Sequence, residues 1–138
     1  MFDTNVLISA ALLKDSTPRR ALDLAARSGC LCFSGDTLAE LRIALARPKL
    51  DRYISRSLRL EFACIMAEQA YFVTPPTVPT VCRDADDNEV LAVAIAARAA
   101  CVCSGDKDLL SLGQYEAIPI LTPARFVERF GSEAQSLS

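Results

Sequence analysis

The 138-residue sequence contains no histidine. This absence excludes a Ser-His-Asp triad, general-base catalysis by imidazole and every zinc site that uses an imidazole ligand. No uncharged apolar run approaches the length of about 18 residues that a membrane span needs. The first residues also lack the basic segment and apolar core of a signal peptide. We therefore expect a cytoplasmic protein that does not enter a membrane.

The sequence also has little net charge. Its 15 basic and 17 acidic residues give −2, so no strong overall field indicates a nucleic-acid or membrane partner. Apolar residues make up 51% of the chain and charged residues 23%, which is typical of a globular protein rather than a disordered one. We predict one folded domain at residues 1–130, followed by a polar, disordered tail at 131–138.

Six cysteines have spacings that do not match the common zinc sites. Both close pairs, Cys30/Cys32 and Cys101/Cys103, are C-x-C, whereas structural zinc sites use C-x₂₋₄-C. On a strand, C-x-C directs both side chains to one face. We interpret the cysteines as reduced, small apolar residues of buried strands, and a four-thiolate zinc site or a disulfide stays open as an alternative.

Short β-like runs alternate with helical runs along the chain, which favours an α/β domain with a mainly parallel sheet. We predict about five strands, at residues 1–2, 30–33, 71–74, 101–103 and 118–121. We predict helices at residues 5–14, 18–28, 37–47, 56–69, 88–99 and 123–130, with a further short helix after Asp106. The apolar face of the third and fourth helices is either core or a surface for self-association.

Acidic residues fall where strands end or helices begin. Asp3 and Asp106 follow strands, Asp87 precedes the fifth helix, and Glu40 lies one turn into the third helix. Open α/β sheets bind ligands at the carboxyl ends of their strands, so four segments would deliver carboxylates to one edge. Alone, each aspartate would be an ordinary helix cap and Glu40 a solvated residue. Together their charges repel, which favours a site for cations.

Ligation by carboxylate oxygens alone selects hard ions such as Mg²⁺ or Mn²⁺. Two such ions would offset the clustered charge, activate a water molecule and stabilise displacement at a phosphate, and this chemistry needs no histidine. A competing EF-hand interpretation of Asp84-x-Asp86-x-Asn88 fails because position six is Glu89 instead of glycine. Neither of the glycine-rich nucleotide-binding motifs occurs.

Four motifs follow one another along the chain: Asp3-Thr4-Asn5-Val6-Leu7, Glu40-Leu41 ahead of Arg47-Pro48-Lys49, Cys82-Arg83-Asp84-Ala85-Asp86-Asp87-Asn88, and Ser104-Gly105-Asp106-Lys107-Asp108-Leu109-Leu110. In this order they resemble the motifs of the PIN domain family. The match is closest to the branch that contains toxin components of toxin–antitoxin systems, and it extends over about residues 1–130. One departure is that only Met1 and Phe2 precede Asp3, where the family has several apolar strand residues.

The resemblance implies a three-layer α/β/α fold and a Mg²⁺- or Mn²⁺-dependent ribonuclease. It implies that the catalytic and metal-binding acidic tetrad is Asp3, Glu40, Asp87 and Asp106. It also implies supporting positions at Asn5 and Ser104, with Asp86 and Asp108 as further acidic neighbours. Members of the resembled branch often form homodimers and are inhibited by an antitoxin that covers the active site. We therefore expect RNA, an antitoxin protein and a second copy of the chain as partners.

An acidic edge repels phosphate, so we expect cationic side chains beside it to contact the RNA backbone. The candidates are Arg42, Arg47, Lys49 and Lys107, with Arg19, Arg20 and Arg52 as further ones. No aromatic stacking platform or base-reading motif is evident in the sequence, so no base preference is predicted. The alternatives to a nuclease are a catalytically inactive RNA-binding or regulatory module and, more weakly, a metal-dependent phosphatase.

Overall fold

The computed structural model describes the backbone of residues 1–136 and the side chains of residues 1–131. The helices are α1 (Thr4–Leu12), α2 (Thr17–Ser28), α3 (Gly35–Leu45), α4 (Arg56–Gln69), α5 (Ala85–Ala97), α6 (Lys107–Leu112) and α7 (Pro123–Ser136), with a 3₁₀ helix at Pro48–Arg52 between α3 and α4. The strands are β1 (Cys32–Phe33), β2 (Tyr71–Phe72), β3 (Val102–Cys103), β4 (Gln114–Tyr115) and β5 (Ile118–Leu121).

Side-chain caps determine where several helices begin. The Ser16 hydroxyl caps α2 by accepting a hydrogen bond from the backbone N–H of Arg19. Ser34 forms a reciprocal capping box with Thr37 at the start of α3. Asp84 caps α5, so this helix begins at Ala85 and not after Asp87 as predicted. Because Asp84 is the cap, Asp87 lies within the first turn of α5, and its carboxylate is not used to cap the helix.

The strands do not form the single five-stranded sheet that the sequence predicts. β1 and β2 form one parallel pair, and a separate sheet has the order β3-β5-β4. Within it β3 and β5 are parallel, whereas β4 and β5 form an antiparallel hairpin. The hairpin turn has positive φ at Glu116 and Ala117, a conformation that glycine or asparagine normally signals. Neither residue type occurs at these two positions, so no turn signal in the sequence indicates the hairpin.

Helices cover the strands on both sides, as in an α/β/α arrangement. Neighbouring strand residues point to opposite faces, and they enter different apolar clusters. Phe33 and Cys103 lie in a cluster that includes side chains of α1, α2, α3, α4 and α7. Cys32 and Val102 lie in a second cluster with side chains of α5 and α6. Because helices cover both faces of the strands, the carboxyl ends of the strands remain as the place where a site can form, and we call them the edge.

The cysteines are all free thiols. Cys32, Cys101 and Cys103 are buried on or beside strands, as the sequence predicts, whereas Cys30 and Cys64 are exposed. Burial raises the pKa of the Cys103 thiol to about 12. That thiol is therefore protonated at neutral pH and acts as a small apolar residue in the core.

The last helix is longer than predicted. α7 continues to Ser136 instead of ending at Phe130, because residues 132–136 include Glu, Ala and Gln, which have high helix propensity. Of the predicted tail at 131–138, residues 137–138 lie outside the described part of the chain. Among the described residues, no helix has the length and apolar character needed to cross a membrane.

Candidate active site

Asp3 is held at the carboxyl end of the strands by hydrogen bonds to β3 and the residues that follow it. Its backbone N–H donates to the Cys103 carbonyl at 2.9 Å, next to the parallel bridge between Phe2 and Cys103. The Ser104 hydroxyl donates to Oδ2 of Asp3 at 2.8 Å, and the backbone N–H of Asp106 donates to that hydroxyl at 3.0 Å. One buried serine therefore connects the first and last acidic segments.

The environment of Asp3 disfavours its charged form. Burial raises the pKa of its carboxyl, and the nearby charge of Asp106 raises it further. The Ser104 hydrogen bond and the backbone amides of Thr4 and Asn5 offset part of this effect. A positive charge placed beside Asp3 would favour its ionised form.

Asp87 projects from the first turn of α5, and the chain before this helix is tightly fixed. The Asn88 side chain accepts from the backbone N–H of Cys82 at 2.8 Å and donates to the Cys82 carbonyl at 3.0 Å. Asp84 caps the helix by accepting from the backbone N–H of Asp86 at 2.9 Å. These contacts set the position of Asp87 before any ligand is bound.

The carboxylate of Asp87 is the least satisfied polar group at this edge. Only 6% of the residue is exposed, and its Oδ2 has no hydrogen-bond partner among the described residues. Burial, followed by the charges of Asp106 and Asp3, raises the pKa of Asp87 to about 7. An unpaired buried acceptor is costly, so this oxygen is suited to a ligand.

Asp106 caps α6 and brings a second aspartate toward Asp87. Its Oδ1 accepts from the backbone N–H groups of Asp108 and Leu109 at 2.8 and 3.1 Å. One carboxylate oxygen from each of Asp87, Asp106 and Asp108 lies within 4.8 Å of the other two. Arg83 donates to Asp108 at 3.2 Å, and the arginine side chain is largely solvent-exposed. This is the tightest cluster of acidic groups among the described residues.

Glu40 reaches the same edge from α3. Burial raises the pKa of its carboxyl, as do the charges of Asp86 and Asp3, and a hydrogen bond with the Thr4 side chain partly offsets this. Of the predicted tetrad, Asp3, Asp87 and Asp106 influence one another's ionisation, and Glu40 is influenced by Asp3. Asp87 and Asp106 belong to the cluster within 4.8 Å, whereas Asp3 and Glu40 lie outside it.

Comparison with known proteins identifies the family. A model of the PIN domain matches residues 1–108. The chain belongs to the PIN domain family. An uncharacterized protein of Methanocaldococcus jannaschii is 32% identical over 140 residues, which span 94% of this chain and 90% of that protein. No solved structure matches the chain significantly.

PIN domains are commonly nucleases that use divalent metals, and the residues of this PIN domain fit such an ion. The donors are all carboxylate oxygens, the set that hard divalent cations prefer. Asp87 also offers a buried oxygen that lacks any partner among the described residues. The family match confirms the resemblance to PIN domains, whereas the closeness to the toxin branch stays a prediction. It makes the acidic edge the candidate active site.

The remaining predicted residues are distributed around the acidic edge. A cleft of about 500 Å³ is lined by Asn5, Asp106, Lys107 and Asp108, among others. Ser104 is buried and donates a hydrogen bond to Asp3, and Asp86 is exposed in the first turn of α5. None of the other six predicted cations lines this cleft. Arg19 is half-buried, and the remaining five are exposed: Arg20, Arg42, Arg47, Lys49 and Arg52.

Three further residues support the site, and the sequence alone predicts no role for them. Thr4 interacts with Glu40, Arg83 pairs with Asp108, and the Asn88 side chain clamps Cys82. Thr4 and Asn88 are buried polar residues beside acids, and this feature of the folded chain has no sequence signal. Arg83 lies next to the acidic run in sequence, but its partner is 25 residues away.

Proposed function

We propose that this PIN domain is a divalent-metal-dependent endoribonuclease that hydrolyses RNA phosphodiester bonds with Mg²⁺ or Mn²⁺ at the acidic edge. The observation that carries the proposal is the state of Asp87, which is buried, has an unpartnered oxygen and lies against two further carboxylates. Such an arrangement is destabilising unless a positive charge occupies it. A hard cation satisfies the unpartnered oxygen and offsets the repulsion at once.

The residues of the edge then have distinct tasks. We assign metal binding to Asp3, Glu40, Asp87 and Asp106, and a supporting position to Asp108. A bound divalent cation would supply positive charge that stabilises negative charge developing on the phosphate. The Ser104 hydroxyl fixes the orientation of Asp3 through its hydrogen bond.

The cleft supplies groups that suit a nucleic-acid backbone. Lys107 and Asn5 are exposed and line it together with Asp106. We assign phosphate contacts to Lys107, because a cation directly beside the carboxylates is suited to hold a phosphate over them. Asn5, at the start of α1, can donate a hydrogen bond from its side chain to the same group.

We further propose that the protein is the toxin of a toxin–antitoxin pair and acts as a homodimer. The ordered motifs of the acidic edge support the first statement. Apolar side chains that α3 and α4 leave exposed support the second: Ile43, Leu58, Leu60 and Ile65. An apolar surface of this kind is suited to a protein partner. Induced expression should arrest bacterial growth, and the Asp87→Asn variant should not.

The nuclease proposal makes a direct prediction about metal removal. We expect the purified protein to cleave a labelled single-stranded RNA in Mg²⁺ or Mn²⁺, to lose cleavage in excess EDTA, and to regain it when Mn²⁺ is restored. The physical reason is that an acidic edge without metal repels phosphate. Gel analysis of the products over time measures the effect.

Two results would contradict the proposal. Cleavage that persists in EDTA would mean that the acidic edge works without metal. RNA binding without metal binding or cleavage would instead show the alternative function, an inactive RNA-binding module. Titration calorimetry with Mn²⁺ separates these outcomes, because it detects the ion independently of turnover.

A further inference from the structure

The cleft that Asp106 and Lys107 line is called the acidic cleft below. We propose that a second cleft, which adjoins it and is lined by Lys49, Arg52 and Tyr53 among others, is a subsite for an unpaired RNA nucleotide. In this subsite Tyr53 stacks on the base, and Lys49 and Arg52 contact the backbone phosphates. The proposal deepens the nuclease function, on which it rests for the path of the strand.

The two clefts adjoin at α1. Ser9 lines both of them, between Asn5 in the acidic cleft and Leu12 and Leu13 in the second one. Asn5 and Ser9 are four residues apart and therefore lie on one face of α1, and Leu12 is the last residue of this helix. With a rise of about 1.5 Å per residue, α1 spans roughly 10 Å from Asn5 to Leu12, the length of a few nucleotides. A strand bound at the acidic edge can thus continue into the second cleft.

The second cleft has the chemistry of a single-strand site. Its volume is about 350 Å³, and its lining contains the cations Lys49 and Arg52 but no carboxylate. Tyr53 is 54% exposed, and the Arg52 guanidinium lies 5.6 Å from the centroid of its ring. Aromatic rings and arginine planes are the groups on which unpaired bases stack. The cationic second cleft complements the acidic first one, which holds phosphate only through metal and Lys107.

A buried arginine holds this surface in place. The side chain of Arg59, from α4, is 0% exposed. It donates to the Arg47 carbonyl at 3.0 Å and pairs with the Asp51 carboxylate, while Leu50 of the same segment is buried. The 3₁₀ helix that carries Lys49 and Arg52 is therefore fixed from within. A preorganised surface loses less conformational entropy on binding, so Tyr53 and its neighbours are suited to a binding role.

The test compares two tyrosines of nearly equal exposure. Tyr53→Ala removes the proposed platform, and Tyr71→Ala is the matched control, since Tyr71 is 56% exposed and lines a different cleft. Binding of a fluorescent octaribonucleotide is measured by anisotropy in Mg²⁺, with Asp106→Asn in every protein to prevent cleavage. We expect Tyr53→Ala to weaken binding by roughly 5- to 100-fold, whereas Tyr53→Phe and Tyr71→Ala stay near the parent value.

The proposed phosphate contacts of the second cleft are tested by the salt dependence of RNA binding. Lys49→Ala should reduce the slope of log Kd against log salt concentration by about 0.7, the value for one phosphate contact with a single strand. The control is Arg27→Ala, because Arg27 is an exposed cation in the last turn of α2 and lines neither cleft. An unchanged slope for Lys49→Ala would remove this residue from the subsite.

The outcomes separate the subsite from the nuclease function. Equal RNA affinity of Tyr53→Ala and Tyr71→Ala overturns the subsite even where RNA is cleaved normally. Tyr53-dependent binding by a protein that cleaves no RNA in Mg²⁺ or Mn²⁺ supports the subsite and rejects the nuclease. Absence of any RNA binding overturns the subsite.

Discussion

Replacing Asp87 with asparagine will abolish RNA cleavage, with a loss of at least about 10³-fold in the single-turnover rate. Asparagine has nearly the same size as aspartate but no negative charge, so it cannot balance a divalent cation. Asp3→Asn should have the same effect, because Asp3 and Asp87 interact with each other and with Asp106. The rate is measured at saturating Mn²⁺ with an end-labelled RNA.

The controls for this experiment lie on the same chain. Asp15→Asn removes the same charge from an exposed residue in the loop before α2, and we expect it to cleave at the parent rate. Circular dichroism should show that every variant keeps its helical content. Equal cleavage by Asp87→Asn and the parent, with contaminating nucleases excluded, would contradict the assignment of Asp87.

The same substitution should stabilise the protein when no metal is present. The pKa of Asp87 is about 7 in the folded protein and 3.8 in the reference state. Between these values the folded state holds a proton that the unfolded state has released. The free energy of unfolding therefore falls as pH rises from about 4 to about 7 and stays low above that range. Asp87→Asn removes this fall in the free energy of unfolding, because asparagine does not ionise.

We expect Asp87→Asn to unfold at higher urea concentration than the parent at pH 8 in EDTA, with a gain on the order of 2–4 kcal/mol. At pH 5 the gain should be much smaller, because most of the parent's Asp87 is then protonated. Adding Mn²⁺ at pH 8 should stabilise the parent and leave the variant unchanged. A gain that is the same at both pH values would show that the charge of Asp87 is not its cause.

Metal binding and folding stability therefore make opposite demands on the charge of Asp87. In the metal-free protein the charge on Asp87 costs folding free energy, and in the metal-bound protein it is the group that attracts the ion. Such opposition is common at active sites, where groups are arranged for a ligand rather than for the stability of the empty fold.

The acidic edge could be predicted because its signals are local. Asp3 and Asp106 follow strands and Asp87 precedes a helix core, and the topology of parallel strands brings such positions together. The structure places them close to one another, although α5 begins earlier than predicted. The sequence predicts Asp108 only as a further acidic neighbour, yet its carboxylate lies within 4.8 Å of those of Asp87 and Asp106. Its position depends on the turn into α6, which spacing alone does not define.

The sheet and the second cleft could not be predicted, because both depend on contacts between distant segments. Strand pairing is non-local, and the described strands β1 to β4 have two residues each, too few to show an alternating pattern. Tyr53 follows a 3₁₀ helix whose placement depends on Arg59 in α4. Nothing around Tyr53 in the sequence distinguishes it from an ordinary surface tyrosine.

We propose that folding gathers carboxylates from distant segments of this chain to hold divalent cations. A crystal of the protein soaked in Mn²⁺, measured at a wavelength where manganese scatters anomalously, tests this proposal. We expect an anomalous peak in contact with the carboxylate oxygens of Asp87 and Asp106, and no such peak in crystals of Asp87→Asn. If a parent crystal at saturating Mn²⁺ shows no manganese at this edge, or shows it only elsewhere, then these carboxylates do not form the metal site.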